Sequence, residues 1–209
     1  MGIRKIFREL WEEIGFLEGI NAKNKKFSNH RIFVSKEAAK AALEKSKAKL
    51  FDVNGWSALP GINSAFHLHD AKGEKLQGTK PAVGHFIYID LPGPDPVNWV
   101  QVIEVKESDD IASFTVRPCA DPKARGEDSK EIKHFFTDRA TSTFRVQRVG
   151  KAIYAYEIGK QEEINNRGEK AGNRKVINTL IAETGSLGLQ KTQWDKLTNY
   201  LVHNIELNQ

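Results

Sequence analysis

The sequence predicts an α+β protein: an antiparallel sheet of about seven strands, with helices towards both ends of the chain. Two observations carry this. Gly84–Pro118 (GHFIYIDLPGPDPVNWVQVIEVKESDDIASFTVRP) holds three runs rich in Val, Ile, Phe, Tyr and Trp, separated by two turn-forming stretches. Pro92, Gly93, Pro94 and Pro96 cannot continue a ladder, and Glu107-Ser108-Asp109-Asp110 favours side-chain turns, so the three runs read as an antiparallel meander. All seven prolines lie between Pro60 and Pro122, which leaves both ends of the chain free to be helical.

Taken in order, Ile3, Ile6, Phe7, Leu10, Ile14 and Leu17 recur at spacings of three or four, which predicts a helix over Ile3–Ile20 with one apolar face. Glu9, Glu12, Glu13 and Glu18 would repel an anionic lipid surface. The expected role of this helix is therefore to pack on the body of the protein or to join two copies into a homo-oligomer. The lysine-rich Asn21–Asn29 reads as a linker, so residues 1–28 form an appendage to a domain over 29–209.

His30–Val34 is a short strand. Ser35 offers an N-cap to a helix over Lys36–Leu50, with Glu37 placed to meet the helix dipole. Asn54-Gly55 and Pro60-Gly61 then slow the chain around a short helix at Gly55–Leu59. Ala65–Asp70 returns to a strand pattern, and the meander follows. Cys119–Lys133 is a charged loop without an apolar period. His134–Val149 and Ala152–Lys160 read as strands joined at Gly150-Lys151. In the second, Tyr154, Tyr156 and Ile158 share one face and Ile153, Ala155 and Glu157 the other. Asn165–Lys175 is a polar linker and Lys175–Thr184 a helix broken by Gly185–Gly188. Thr192 caps a last helix with the stripe Trp194, Leu197, Leu201, Val202 and Ile205.

Composition narrows the classes further. With 39% hydrophobic and 28% charged residues, the 209-residue chain can bury a core. No apolar run approaches the roughly 18–20 residues of a membrane span. Charged residues from Arg4 to Glu13 interrupt any secretory leader, and Ile6 stands where an acylation signal needs Ser or Thr. Cys119 is the only cysteine, which excludes an intramolecular disulfide and fits a cytoplasmic protein. The net charge of +5 and pI near 9.2 come largely from scattered lysines. Arg145, Gln147, Arg148 and Lys151 could form a basic strip, but only Tyr154 and Tyr156 lie near to stack on bases, which weighs against nucleic acid.

The order of elements from Asn29 to Glu206, together with Leu43–Gly61 (LEKSKAKLFDVNGWSALPG), resembles the helix-grip fold of the START and pollen-allergen-like superfamily, SRPBCC. That resemblance implies a curved antiparallel sheet gripping a long C-terminal helical segment, with the N-terminal helix as an addition. It also implies an internal cavity that holds a hydrophobic or amphipathic small molecule, on which some members of the superfamily catalyse reactions; the expectation for this chain is binding without catalysis and without a cofactor. A useful cavity of that kind measures roughly 300 Å³ or more. On this reading Phe86, Tyr88, Trp99, Phe114, Phe144, Tyr154 and Tyr156 line it, although a shift of one residue would turn every one of them to the other face. Arg117 and Asp138 would anchor a polar head group at its mouth.

Other chemistry is weaker. His67 and His69 on one strand face, with Glu74 after them, match the opening of a cupin metal motif (GINSAFHLHDAKGE). The polar Lys75–Pro81 departs from that family, and neither His85 nor His134 has the surroundings of a third ligand. No G-x-S-x-G, phosphate-binding glycine loop or C-x-x-C pair is present. Histidines His67, His69 or His85 pointing into the cavity would favour an enzyme on the same scaffold, and histidines pointing outward would remove that alternative.

Overall fold

A computed structural model of the chain describes residues 24–62, 64–91, 98–126, 132–134, 136–162 and 186–207. Its centre is one seven-stranded sheet, all antiparallel, in the order β1-β7-β6-β5-β4-β3-β2. The strands are β1 (Lys25–Ile32), β2 (Ala65–His69), β3 (Phe86–Asp90), β4 (Asn98–Ser108), β5 (Ile111–Cys119), β6 (Thr141–Val149) and β7 (Ala152–Lys160). Among the described residues two helices accompany it, α1 (Lys36–Phe51) and α2 (Ser186–Leu201).

The sheet rolls strongly. In a flat sheet β2 and β6 would stand four strand spacings, roughly 19 Å, apart. Yet the single Trp56 ring lies 5.7 Å from Phe66 on β2 and 5.0 Å from Phe144 on β6, and Trp194 of α2 lies 6.2 and 5.2 Å from the same two rings. A register shift in β4 between Val102 and Glu104 adds a local bend. The concave face is covered by α1, by the 3₁₀ turn Asn54–Ala58 and by α2, which together bury Leu43, Leu50, Trp56, Leu197 and Leu201 against the strands.

Local chemistry sets each element. Ser35 Oγ accepts from Ala38 N at 3.1 Å and starts α1, whose buried residues Ala39, Leu43, Ser46, Lys47 and Leu50 recur at helical spacing. At its far end Trp56 Nε1 donates to the Lys49 carbonyl at 2.9 Å, meeting one of the acceptors a helix end leaves open. α2 is tied to β1 by Asn29 Nδ2, which donates to Asp195 Oδ1 at 3.0 Å and Thr198 Oγ1 at 2.9 Å.

Both edges of the sheet are occupied by side chains. On β2, the Phe66 amide donates to Ser57 Oγ at 2.8 Å and the Leu68 amide to Asn54 Oδ1 at 2.8 Å. On β1, the His30 carbonyl accepts from Asn204 Nδ2 at 3.4 Å, and the strand carries Lys25, Lys26 and Arg31.

The structure corrects several boundaries. Lys25–Asn29 is strand rather than linker, because it finds β7 from Lys25↔Gly159 to Ile32↔Ala152, a partner far away in sequence. β6 begins at Thr141, and His134 sits in the loop before it. The last helix starts at Ser186 and runs through Gly188, so Thr192 is inside it rather than its cap. The N-terminal helix, the proline turn at 92–97 and the segment 163–185 fall outside the described residues, as does nearly all of the proposed appendage. Among the described residues no helix is long and apolar enough to cross a membrane.

Candidate functional site

Cross-strand partners share a face, so the register separates inside from outside. The row Ile87↔Val100↔Pro118 faces the helices. The neighbouring row His67↔Tyr88↔Trp99↔Cys119 faces the other way, as do Phe86, Tyr154 and Tyr156. Five of the seven aromatics expected to line a cavity, Phe86, Tyr88, Trp99, Tyr154 and Tyr156, therefore lie on the convex face. The reason is the period of two: the concave face of β3 and β4 is built from Ile87, Ile89, Val100 and Val102 instead. Phe144 lines the interior hollow, and Phe114 packs behind it against Trp56 and Phe144, at 5.9 and 5.3 Å.

That hollow lies between the concave sheet and α2, which contributes Trp194. Its walls are Trp56, Phe66, Ile87, Ile89, Val100, Val116, Pro118, Phe136, Ala140, Phe144 and Trp194, with His134, Thr141, Ser142 and Glu162 as the polar lining. Its volume is about 50 Å³, well short of the roughly 300 Å³ expected from the resemblance, because Trp56 and Trp194 fill most of the space under the arch. A void of that size takes a few non-hydrogen atoms, whereas an engineered cavity of about 150 Å³ takes benzene.

The polar groups are ordered. Gly159 on β7 leaves a notch: a Cβ there would come within 2.2 Å of Glu162 Oε1. The Glu162 side chain thus folds back across the strand, where Lys25 Nζ stands 3.2 Å from its Oε2. Glu157, fully buried on the concave face of β7, makes no ordinary hydrogen bond with either oxygen among the described residues. Burial, and then the nearby Glu162, push its pKa well above the usual carboxylate range, partly offset by the Ser142 hydroxyl and Lys25. His134 is buried, its Nδ1 accepts from Phe136 N at 3.0 Å, and desolvation drops its pKa to about 3, so the ring is neutral and carries its proton on Nε2.

The expected head-group anchors are not brought together. Arg117 is exposed on the convex face, Asp138 is exposed in the turn before β6, and no ion pair joins them among the described residues. The metal alternative is also corrected. His67 and His69 do share a face, but His67 stacks on Tyr88 at 6.1 Å and His69 meets the Trp99 ring edge-on at 4.8 Å while its Nδ1 lies 2.9 Å from the Gly73 carbonyl. Glu74 turns instead to Lys123 at 3.0 Å, and the described residues contain no group of three metal-ligating side chains. His85 sits in the turn before β3, with its Nδ1 3.3 Å from Ala82 N, so none of these three histidines enters the hollow. The basic strip is interrupted as well, since Arg148 pairs with Asp110 and Gln147 is buried.

A second concavity, an open surface groove of about 310 Å³, runs beside α1, with Arg31, Phe33, Ala42, Lys45, His203 and Glu206 in its walls. Next to it Ser46 Oγ lies 3.1 Å from His203 Nε2, and His203 Nδ1 lies 3.1 Å from Glu206 Oε1, the order of a nucleophile, base and acid. The protons contradict that reading. The Ala42 carbonyl, 3.0 Å from Nε2, requires a hydrogen there, and Ser46 Oγ donates to the same carbonyl at 3.1 Å. Lys49 Nζ stands 2.9 Å from Nδ1, and Ser46 has no exposed surface. The cluster is a clamp that fastens the end of α2 to α1, reinforced by Arg31 on the His203 carbonyl.

Sequence reasoning missed Glu157, Glu162, Lys25 and the role of His134. One signal was available for Glu157: the alternation of β7 sets it on the same face as Ile153 and Ala155, an acid in an apolar row.

No protein-family model matches the chain, and no curated protein matches it. Among solved structures it is similar to a hypothetical protein of Helicobacter pylori, at 17% identity and a TM-score of 0.45 over 84% of this chain and 87% of that one. It is similar to a norcoclaurine synthase of Thalictrum flavum in complex with a transition-state analogue, at 13% identity and 0.41 over 88% and 98%. A major latex-like protein of Panax ginseng gives 12% identity and 0.35 over 76% and 94%.

Proposed function

We propose that this chain is a cytoplasmic helix-grip protein that binds a small amphipathic molecule, without catalysis, in the hollow between the sheet and α2. One observation carries the reading: the walls are almost wholly apolar, and Ser142 and Glu162 in the lining adjoin the buried Glu157. An apolar chamber with a few convergent polar groups is the usual form of a small-molecule site. The void as it stands admits a short alkyl group, and a larger guest must displace the side chains around Phe136 and Trp194. Among the described residues no side chain in the lining is set up as a nucleophile, and a histidine with a pKa of about 3 is a poor base at neutral pH.

The test is a methyl-resolved NMR titration of the full chain with 1-butanol. Shifts confined to Ile87, Ile89, Val100 and Val116 support the reading. If those methyls stay unmoved at tens of millimolar while surface methyls drift, the hollow takes no guest. Native mass spectrometry of protein taken from cells then identifies the natural occupant.

A further inference from the structure

We propose that residues 1–23 of this chain, which lie outside the described residues, dock as an amphipathic helix on the convex face of the sheet, over β5, β6 and β7. The starting observation is a patch buried on the unexpected side. An antiparallel sheet packed on one face usually presents polar, solvated residues on the other. Here α1, the 3₁₀ turn and α2 all cover the concave face. Yet Tyr156 and Ile158, on the convex face of β7, are only 5% and 2% exposed. Neither belongs to the core that the helices build. Gln147, opposite Tyr154 on β6, is buried on this face too, and so is Ser113 on β5, in one row with Arg145 and Tyr156.

Among the described residues the ring neighbours of this patch are lateral. Tyr154 stacks beside Tyr156 at 6.3 Å, and Lys26 Nζ lies 5.4 Å from the Tyr156 ring centre. Both stand at adjacent positions of the sheet, where side chains rise side by side rather than over one another. The cover is also narrow. Ser28 and His30 on β1 are exposed on one side of it, and Glu104 and Lys106 on β4 are exposed on the other. The three strands between these margins span two strand spacings, roughly 10 Å, and an α-helix with its side chains is about 10–12 Å across.

The chain brings such a helix to the place. β1 starts at Lys25 opposite Gly159, with Lys26 opposite Ile158, and Asn24 Oδ1 accepts from Gln161 N at 2.9 Å. Three residues, Asn21–Lys23, therefore separate the predicted helix Ile3–Ile20 from the edge of the patch, a reach of about 10 Å. A segment on so short a tether is present at an effective concentration of roughly millimolar, which favours the chain's own segment over that of a second copy. Charge agrees as well. Lys26, Arg145 and Lys160 border the patch. At about 100° per residue, Glu13 and Glu18 would flank the apolar stripe on its two sides. The segment 163–185 is a poorer occupant: it is held at both ends, by β7 and by α2, and carries the polar Asn165–Lys175.

The experiment is methyl NOE spectroscopy on the full chain. Cross-peaks should join the Ile158 methyls to those of Leu10, Ile14 or Leu17, and should stay within one molecule when labelled and unlabelled copies are mixed. In the double variant Leu10→Asp, Leu17→Asp these cross-peaks should be lost and the Ile158 methyls should shift, while Val102 and Val146 on the concave face hold their positions. Should that variant not fold, the cross-peaks of the unmodified chain decide. Cross-peaks between copies would assign the cover to a second molecule and overturn the proposal. So would cross-peaks from Ile158 to Val176, Leu180 or Ile181, an Ile158 with no methyl partner beyond the sheet, or Ile158 resonances unmoved in the folded variant. None of these outcomes touches the hollow, so the two readings fail separately.

Discussion

Trp56 is the ring on which the arch closes, and Trp56→Phe tests that role. The indole is 1% exposed, lies between 5.0 and 5.9 Å from Phe66, Phe114 and Phe144, and donates its Nε1–H to the Lys49 carbonyl. Phenylalanine keeps an aromatic ring but removes the donor and part of the volume. An acceptor left unmet in the interior costs about 1–3 kcal/mol. The missing atoms bring the total to about 2–4 kcal/mol, against about 3–5 kcal/mol for truncating the ring to Ala by packing alone. For a chain of this length that corresponds to a fall in Tm of very roughly 4–16 °C. Urea unfolding followed by both fluorescence and far-UV circular dichroism measures it. A Trp56→Phe protein within about 0.5 kcal/mol of the parent, as for a surface change, would refute the placement of this side chain.

Three other outcomes are expected. Gly159→Ala should destabilise by about 1–3 kcal/mol, because the new methyl evicts the Glu162 carboxylate from its notch and breaks its pairing with Lys25; urea midpoints unchanged or raised would show the notch to be empty. Stability should fall as pH rises above the ordinary glutamate range. The raised pKa of Glu157 means the folded state holds a proton the unfolded state has already lost, so its contribution is intact below about pH 4.5 and disappears through the folded pKa. Unfolding of the parent and of Glu157→Gln across pH 4–9 checks this, and equal slopes would reject it. Cys119, whose thiol burial pushes up to about 12, should alkylate far more slowly at pH 7.5 in the folded protein than in urea; mass spectrometry of an iodoacetamide time course reads it, and equal rates would contradict the burial.

Much of the fold was legible in the residues. The meander, the Ser35 cap, the α1 helix and the pairing of β6 with β7 all follow from short-range patterns, although β6 begins seven residues later than its pattern suggests. The site was far less legible. Tyr154 and Tyr156 look like cavity aromatics, yet a period of two says only that they share a face and not which face is concave. That choice is made by what packs there: Leu197 and Leu201 come from the far end of the chain and settle on the other side. Lys25 looked like linker because its partner, Gly159, lies more than a hundred residues away. Glu162 folds back over the Gly159 notch to Lys25, contacts that no periodicity encodes. His203 and Ser46 meet across α1 and the end of α2 for the same reason.

The satisfied margins of the sheet have a consequence for the crowded state of the molecule. An open antiparallel sheet exposes two rows of amides and carbonyls that can template a stranger's backbone and seed polymerisation. Here one row is already spent on Asn54 and Ser57, while the other is met at His30 by Asn204 and flanked by Lys25, Lys26 and Arg31. Two copies approaching β1 to β1 would bring Lys26 and Arg31 of each against those of the other before any ladder formed, so the open edge of the arch does not invite fibrous growth.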